Sequence, residues 1–258
     1  MCYYNGCRVS RADYIRLMAI EKEIRNLLLL RKVQSGFDYG NWPVIKPING
    51  GKDFELTEMH WEYIPYFIKN AHELKESRKM FTWLNAKAEN LFVNDKGRMS
   101  MYKEGATKGR CLALSSGFYE WRHIPKIGKK GLPLKQTEKI PYYITLKNEP
   151  EYFFMAAVSR EWENIDMQQS AETFAIVTTE ANELMQKVHN SKKRMPVILP
   201  EELAFEWIQP GLTEQRIKEL AAYQIKAEDM IAWPVAKNFL DTEEDPATEF
   251  MYDQLPAL

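Results

Sequence analysis

The chain has 258 residues, 45% of them apolar, enough to bury one full-sized core or two small ones. Its 35 Lys and Arg against 36 Asp and Glu leave a net charge of −1, which excludes a histone-like binder and makes any polyanion site a matter of local patches. Three cysteines do not make a disulfide framework, no apolar run approaches the ~20 residues of a membrane span, and the opening Met1-Cys2-Tyr3-Tyr4-Asn5-Gly6 lacks the features of a signal peptide. A cytoplasmic protein whose mature N-terminus lies at or next to Met1 is the expectation.

In chain order, Tyr14, Leu17, Ile20, Ile24, Leu27 and Leu28 fall close to helical spacing, which predicts an amphipathic helix over 11–32 with Ser10 as its N-cap. The Gly and Pro residues of 35–51 predict loops with short extended pieces, and 61–68 reads as strand and turn. Strands are predicted at 111–121, 141–146, 152–158, 173–178, 195–199 and 230–235, and helices near 180–188, 201–208 and 213–223. This is an α+β pattern in one domain over 1–240, followed by an acidic C-terminal tail, 241–258, expected to be solvated.

Cys2 is the residue with the most distinctive chemistry. Methionine aminopeptidases remove Met1 before a small second residue, and the product is a 1,2-aminothiol. Its amine has a reference pKa of about 7.7–8.0 and its thiol ~8.5, so both are nucleophiles near neutral pH. Such a pair condenses with an aldehyde to an imine and closes to a thiazolidine; it could equally attack an amide or ester. Cys7 and Cys111 read as small buried hydrophobes, and Cys2-x4-Cys7 lacks the second pair of ligands a zinc site needs, so no metal or other cofactor is expected.

Glu120 stands among large aromatics in Gly117-Phe-Tyr-Glu-Trp121, either as a solvated strand-edge glutamate or as a desolvated acid or base with a raised pKa. His60, His72 and His123 have no recognisable setting. His189 opens a cationic run with Lys192, Lys193 and Arg194, a phosphate-binding neighbourhood or a solvated basic loop. A second basic stretch, 122–139, carries Arg122, Lys126, Lys129, Lys130, Lys135 and Lys139 against Glu138 and adjoins Trp121, the cation and aromatic pairing that suits single-stranded nucleic acid.

Taken in order, these pieces resemble the SOS-response-associated peptidase (SRAP) family. The marks are Met1-Cys2, Trp61-Glu-Tyr-Ile-Pro65, Asn85-Ala-Lys-Ala-Glu89, Arg110-Cys111 through Gly117-Phe-Tyr-Glu-Trp121, Pro141-Tyr-Tyr-Ile144, Ile176-Val-Thr-Thr-Glu-Ala-Asn182, and His189 ahead of Arg194-Met-Pro-Val-Ile198. The resemblance implies a curved, mainly antiparallel, barrel-like sheet with flanking helices. It also implies a protein that senses abasic sites in single-stranded DNA and crosslinks to them through Cys2, with Asn85, Glu120 and His189 lining the pocket. Trp61 and Trp121 would then stack on bases, and Lys87, Lys192, Lys193 and Arg194 would hold phosphates.

A weak lyase activity by β-elimination from the same imine is implied as well, the default assembly is a monomer, and the place of work is the nucleoid when DNA is bound. Three departures stand out: Tyr3 and Tyr4 follow Cys2 where the family usually has Gly-Arg, Lys87 replaces an arginine, and four residues rather than one separate His189 from Arg194. Two other readings use the same residues: an N-terminal-nucleophile cysteine peptidase or amidohydrolase, and a single-stranded DNA binder in which Cys2 is incidental.

Overall fold

A computed structural model describes residues 2–8, 14–23, 30–128, 132–148, 151–253 and 255–258. The chain begins with β1 (Tyr4–Arg8), a hairpin of β2 (Tyr14–Leu17) and β3 (Ile20–Glu23), and β4 (Leu30–Ser35). These strands replace the helix predicted over 11–32. Burial alternates along β2, with Ile15 and Leu17 inside and Tyr14 and Arg16 outside, a period of two that a coarse helical count also accommodates. Met18, at φ 56°, turns the chain into β3. The predicted cap Ser10 and the positions Ile24, Leu27 and Leu28 lie outside the described residues.

The stretch predicted as loops contains a full strand, β5 (Asn41–Ile48), followed by β6 (Asp53–Trp61). Pro43 and Pro47 are accommodated because the ladder from β5 to its second neighbour is confined to Val44 and Ile45, between the two prolines. Next come α1 (Ala71–Ser77), β7 (Asn85–Lys87), α2 (Lys103–Lys108), β8 (Arg110–Ser115), β9 (Gly117–Ile127), β10 (Pro133–Leu146), β11 (Phe153–Asn164) and β12 (Gln169–Glu180). The chain continues through α3 (Glu183–Val188), β13 (Arg194–Pro196), β14 (Ile198–Leu199), α4 (Glu201–Trp207), α5 (Glu214–Ala221) and β15 (Met230–Pro234). The α+β expectation holds, with strands dominant.

The order β12-β6-β5-β8-β11 returns to β12, closing a five-stranded barrel in which only β12 and β6 run parallel. Closure leaves these strands without an open edge. Trp42, Trp61 and Phe174, all fully buried, are in ring contact across three barrel strands, at 5.7 Å and 6.4 Å between centroids. A second, antiparallel sheet in the order β15-β10-β9-β1-β4 lies beside the barrel.

The chain passes from the barrel to this sheet at Ser115-Ser116-Gly117. Ser115 Oγ donates to Asn5 Oδ1 at 2.6 Å and the Ser116 N–H to the Gly6 carbonyl at 2.8 Å. Tyr143 packs so closely at the crossing that a Cβ on Gly117 would lie 2.1 Å from its ring, which requires glycine there.

The C-terminal segment departs from the solvated tail predicted for 241–258. Asp241, Glu243, Glu244 and Asp245 are exposed, but the chain beyond them docks on the second sheet. Phe250 N–H donates to the Pro234 carbonyl at 2.9 Å, Trp233 Nε1 to the Ala247 carbonyl at 2.6 Å and Tyr252 Oη to the Val235 carbonyl at 2.8 Å. Apolar residues at Ala247, Leu255 and Leu258 supply the surface that the acidic run lacks. Among the described residues no helix is long and apolar enough to cross a membrane.

Candidate functional site

The start of the chain is buried at the junction of the two sheets. The Tyr3 carbonyl accepts from Gly36 N–H at 2.7 Å, and the Cys2 carbonyl accepts from Asn85 Nδ2 at 3.0 Å. Asn85 is itself fixed from two sides. It is the first residue of β7, paired with Ile176 of β12, and its carbonyl accepts from Tyr102 Oη at 3.3 Å. Its Oδ1 is buried and, among the described residues, has no hydrogen-bond partner.

Glu120 lies on β9 opposite Tyr142 of β10, and His189 ends α3. Two things aim His189. Asn182 caps the other end of the helix, accepting from Met185 N–H at 3.0 Å, while its Nδ2 donates to the Ile225 carbonyl at 2.8 Å. Asn190 bonds His123 of β9 through both its atoms, accepting from the N–H at 3.0 Å and donating to the carbonyl at 2.8 Å. That strand-like pairing brings the end of α3 onto β9, and His189 Nε2 comes to 3.7 Å from Glu120 Oε2. Cys2, Asn85, Glu120 and His189 are 0%, 9%, 4% and 4% exposed, so all four share one desolvated region.

Burial sets the protonation states. It pushes the Glu120 carboxyl up to about 7 and pulls the His189 imidazole down to about 4, since a low-dielectric setting disfavours either charge. His189 Nδ1 lies 2.9 Å from the Arg194 carbonyl, which can only accept. In the neutral ring Nδ1 therefore carries the proton and Nε2 presents a lone pair toward Glu120. A protonated Glu120 is complementary to that lone pair. The Cys2 thiol is pushed well above its ordinary value by burial and then by the Glu120 charge, so it is a neutral thiol rather than a standing thiolate.

The chain matches the model of the family described as SOS response associated peptidase (SRAP) over residues 22–241. It belongs to the SRAP family. Among SRAP relatives, the abasic site processing protein YoqW of Bacillus subtilis (strain 168) is 30% identical over 194 residues, 75% of each chain. The abasic site processing protein YedK of Escherichia coli (strain K12) is 30% identical over 139 residues, 53% of this chain and 54% of that one. A crystal structure of a Bacteroides thetaiotaomicron protein superposes with a TM-score of 0.76 at 27% identity, covering 97% of this chain and all of the other. These likenesses bear out the expected family and its barrel-like fold. The family match begins after Cys2, so the setting of that residue is read from the geometry alone.

The other residues singled out in the sequence fall in different places around this SRAP site. Trp61 is fully buried in the barrel with its Nε1 bonded to the Leu84 carbonyl at 3.1 Å, so it presents no face to a base and the stacking role expected for it is withdrawn. Trp121 is half-buried against Tyr4, at 4.9 Å, and Phe239, at 5.9 Å.

Lys87 is exposed, 3.8 Å from Asp95. Lys192 and Lys193 are exposed on a tight turn in which both N–H groups donate to the His189 carbonyl, at 3.3 Å and 2.8 Å. That turn absorbs the extra residues before Arg194. Arg194 supports the site rather than facing solvent, since it holds both Glu89 carboxylate oxygens, at 2.6 Å and 2.9 Å, and the Thr178 carbonyl.

Sequence reasoning missed Asn190 and Tyr102. Adjacency to His189 was a usable signal for Asn190. Tyr102 gave none, because its role depends on the contact with Asn85.

Proposed function

We propose that this SRAP chain acts on abasic sites in single-stranded DNA and captures them covalently through Cys2. The observation that carries the reading is the convergence of the buried Cys2 end with Asn85, Glu120 and His189. Removal of Met1 frees the Cys2 amine, whose reference pKa of about 7.7–8.0 leaves a useful neutral fraction at physiological pH.

That amine adds to the aldehyde carbon of the ring-opened sugar to give a carbinolamine. Glu120, half-protonated near pH 7, donates the proton with which the hydroxyl leaves as water. The Cys2 sulfur then adds to the imine carbon and its proton passes to the nitrogen, with Glu120 or His189 Nε2 as carrier. The sum is aldehyde plus aminothiol giving thiazolidine plus one water. Asn85 holds the Cys2 carbonyl and fixes the reacting end.

The neutral thiol favours this amine-first order. A thiol peptidase works with a lowered cysteine pKa, usually beside an imidazolium, whereas here burial raises the thiol and keeps His189 uncharged. From the imine, loss of a proton at the neighbouring sugar carbon with departure of the 3′-phosphate gives strand scission, and ring closure by sulfur removes that imine. Lys87, Lys192 and Lys193 supply exposed cations for the DNA backbone, and Trp121 an aromatic edge for a base.

The test is a single-stranded oligonucleotide with one abasic site, analysed by denaturing gel and intact mass beside undamaged DNA. A stable adduct is expected, with the mass of both partners less Met1 and one water. Cys2→Ala keeps the amine but not the sulfur, so its adduct is expected only after borohydride trapping, with strand scission retained. No adduct from protein already lacking Met1, or an undiminished stable adduct with Cys2→Ala, overturns the proposal.

A further inference from the structure

One more guanidinium stands beside the pocket. Arg122 follows Glu120 by two residues on β9, so the two side chains share a face of the strand. Tyr142, paired with Glu120 across the ladder, lies on that face too. Arg122 Nη1 donates to Tyr142 Oη at 3.3 Å, which draws its head group toward the position opposite Glu120. Its other bonds go to the C-terminal segment, from Nη1 to the Pro256 carbonyl and from Nη2 to the Ala257 carbonyl, the latter at 3.1 Å. Leu255 and Leu258, packed against the core on either side, hold that segment down.

Two successive main-chain oxygens thus fill the guanidinium fork as two oxygens of a phosphate would. The comparison with Arg194 decides which arginine is available to DNA. Arg194 is held by both oxygens of the Glu89 carboxylate, and a phosphate would have to displace an ion pair. Among the described residues no acid is paired with Arg122. Exchanging neutral carbonyls for an anionic phosphate keeps the hydrogen bonds of the cationic fork and adds the attraction between opposite charges.

We infer that Arg122 is a further phosphate-binding residue of the site, and that residues 255–258 occupy it in the free protein and give way to the DNA backbone. The inference rests on the abasic-site reading and adds a named contact and an internal competitor to it.

The test uses the full chain and a single strand carrying a tetrahydrofuran abasic analogue, which has no aldehyde and reports binding alone, followed by fluorescence anisotropy over a salt series. Arg122→Gln is expected to raise Kd roughly tenfold and to flatten the salt slope by about one charge. The double substitution Leu255→Ser/Leu258→Ser, which loosens the segment, is expected to lower Kd by roughly threefold or more, and to do nothing in the Arg122→Gln background.

An unchanged Kd and salt slope for Arg122→Gln overturns the inference, as does a tightening by the leucine substitutions that survives loss of Arg122. Should the leucine variant fail to fold, the Arg122→Gln salt slope decides alone. Crosslinking of a true abasic strand by the wild-type protein separates the two readings. Its absence sinks the proposed function, whereas its presence with Arg122 and the tail both silent sinks only this inference.

Discussion

Glu120 and His189 sit 3.7 Å apart with shifts that both favour the uncharged form. At pH 7 Glu120 carries its exchangeable proton about half of the time, while His189 Nε2 stays unprotonated. In the proposed mechanism dehydration of the carbinolamine uses that proton, and addition needs the neutral Cys2 amine, with its reference pKa of about 7.7–8.0. The crosslinking rate is therefore expected to peak between about pH 7 and 8 and to fall at higher pH as Glu120 stays deprotonated. On the acid side it falls as the Cys2 amine is protonated, and a bell-shaped profile results. Glu120→Gln is expected to lower the single-turnover rate by roughly 10²-fold or more and to abolish the alkaline limb; an alkaline limb that persists in this variant would assign it to another group. Cys2, Glu120 and His189 stood out in the sequence because their residue types carry the chemistry, whereas Asn85 was reached only through the family resemblance, since an asparagine in a polar segment gives no signal of its own. Trp61 was misread for a physical reason: a tryptophan that stacks on a base and one that fills a barrel look alike until the strand's two faces are known.

At the scale of elements, the site depends on how α3 is joined to β9. The helix has six residues and little stability of its own, and Asn182 and Asn190 tie its two ends to neighbouring segments. Asn190→Ala removes both bonds to His123, each worth about 1 kcal/mol, while leaving every titrating group in place. Crosslinking kcat is expected to drop roughly tenfold with little change in KM for DNA, measured in single-turnover assays at saturating and limiting strand concentrations. An unchanged kcat would mean that His189 is positioned by its Arg194 contact alone.

The extra residues between His189 and Arg194 cost the site nothing visible, because Lys192 and Lys193 fold them into a turn on the His189 carbonyl. The later strands and α3, α4 and α5 were readable from runs of β-branched and aromatic residues and from helical periodicity. The region 11–32 was not, because Leu and Ile at mixed spacings satisfy both periods and only the partner strand decides. Nor could spacing show that the chain beyond the acidic run docks, since that follows from contacts with β15.

Over the whole molecule, the site lies where the closed barrel meets the second sheet, and desolvating its acid has a thermodynamic consequence. The folded state raises Glu120 from 4.5 to about 7 and so favours its neutral form. The contribution this makes to stability is fully present below about pH 4.5 and is lost as pH rises through about 7. His189 acts in the opposite sense, being lowered from 6.5 to about 4, so its contribution is present above 6.5 and lost as pH falls through about 4.

Both wild type and Glu120→Gln contain His189, so the difference between them isolates the carboxyl. A shift of that size corresponds to about 3 kcal/mol at most. Glu120→Gln is therefore expected to match wild type in Tm near pH 4.5 and to exceed it at pH 8.5 by several degrees, on the order of 2–4 °C per kcal/mol for a chain of this length. A Tm difference that stays constant across that range would show that Glu120 carries no raised pKa. The general acid assigned to it would then have to be sought elsewhere in the site.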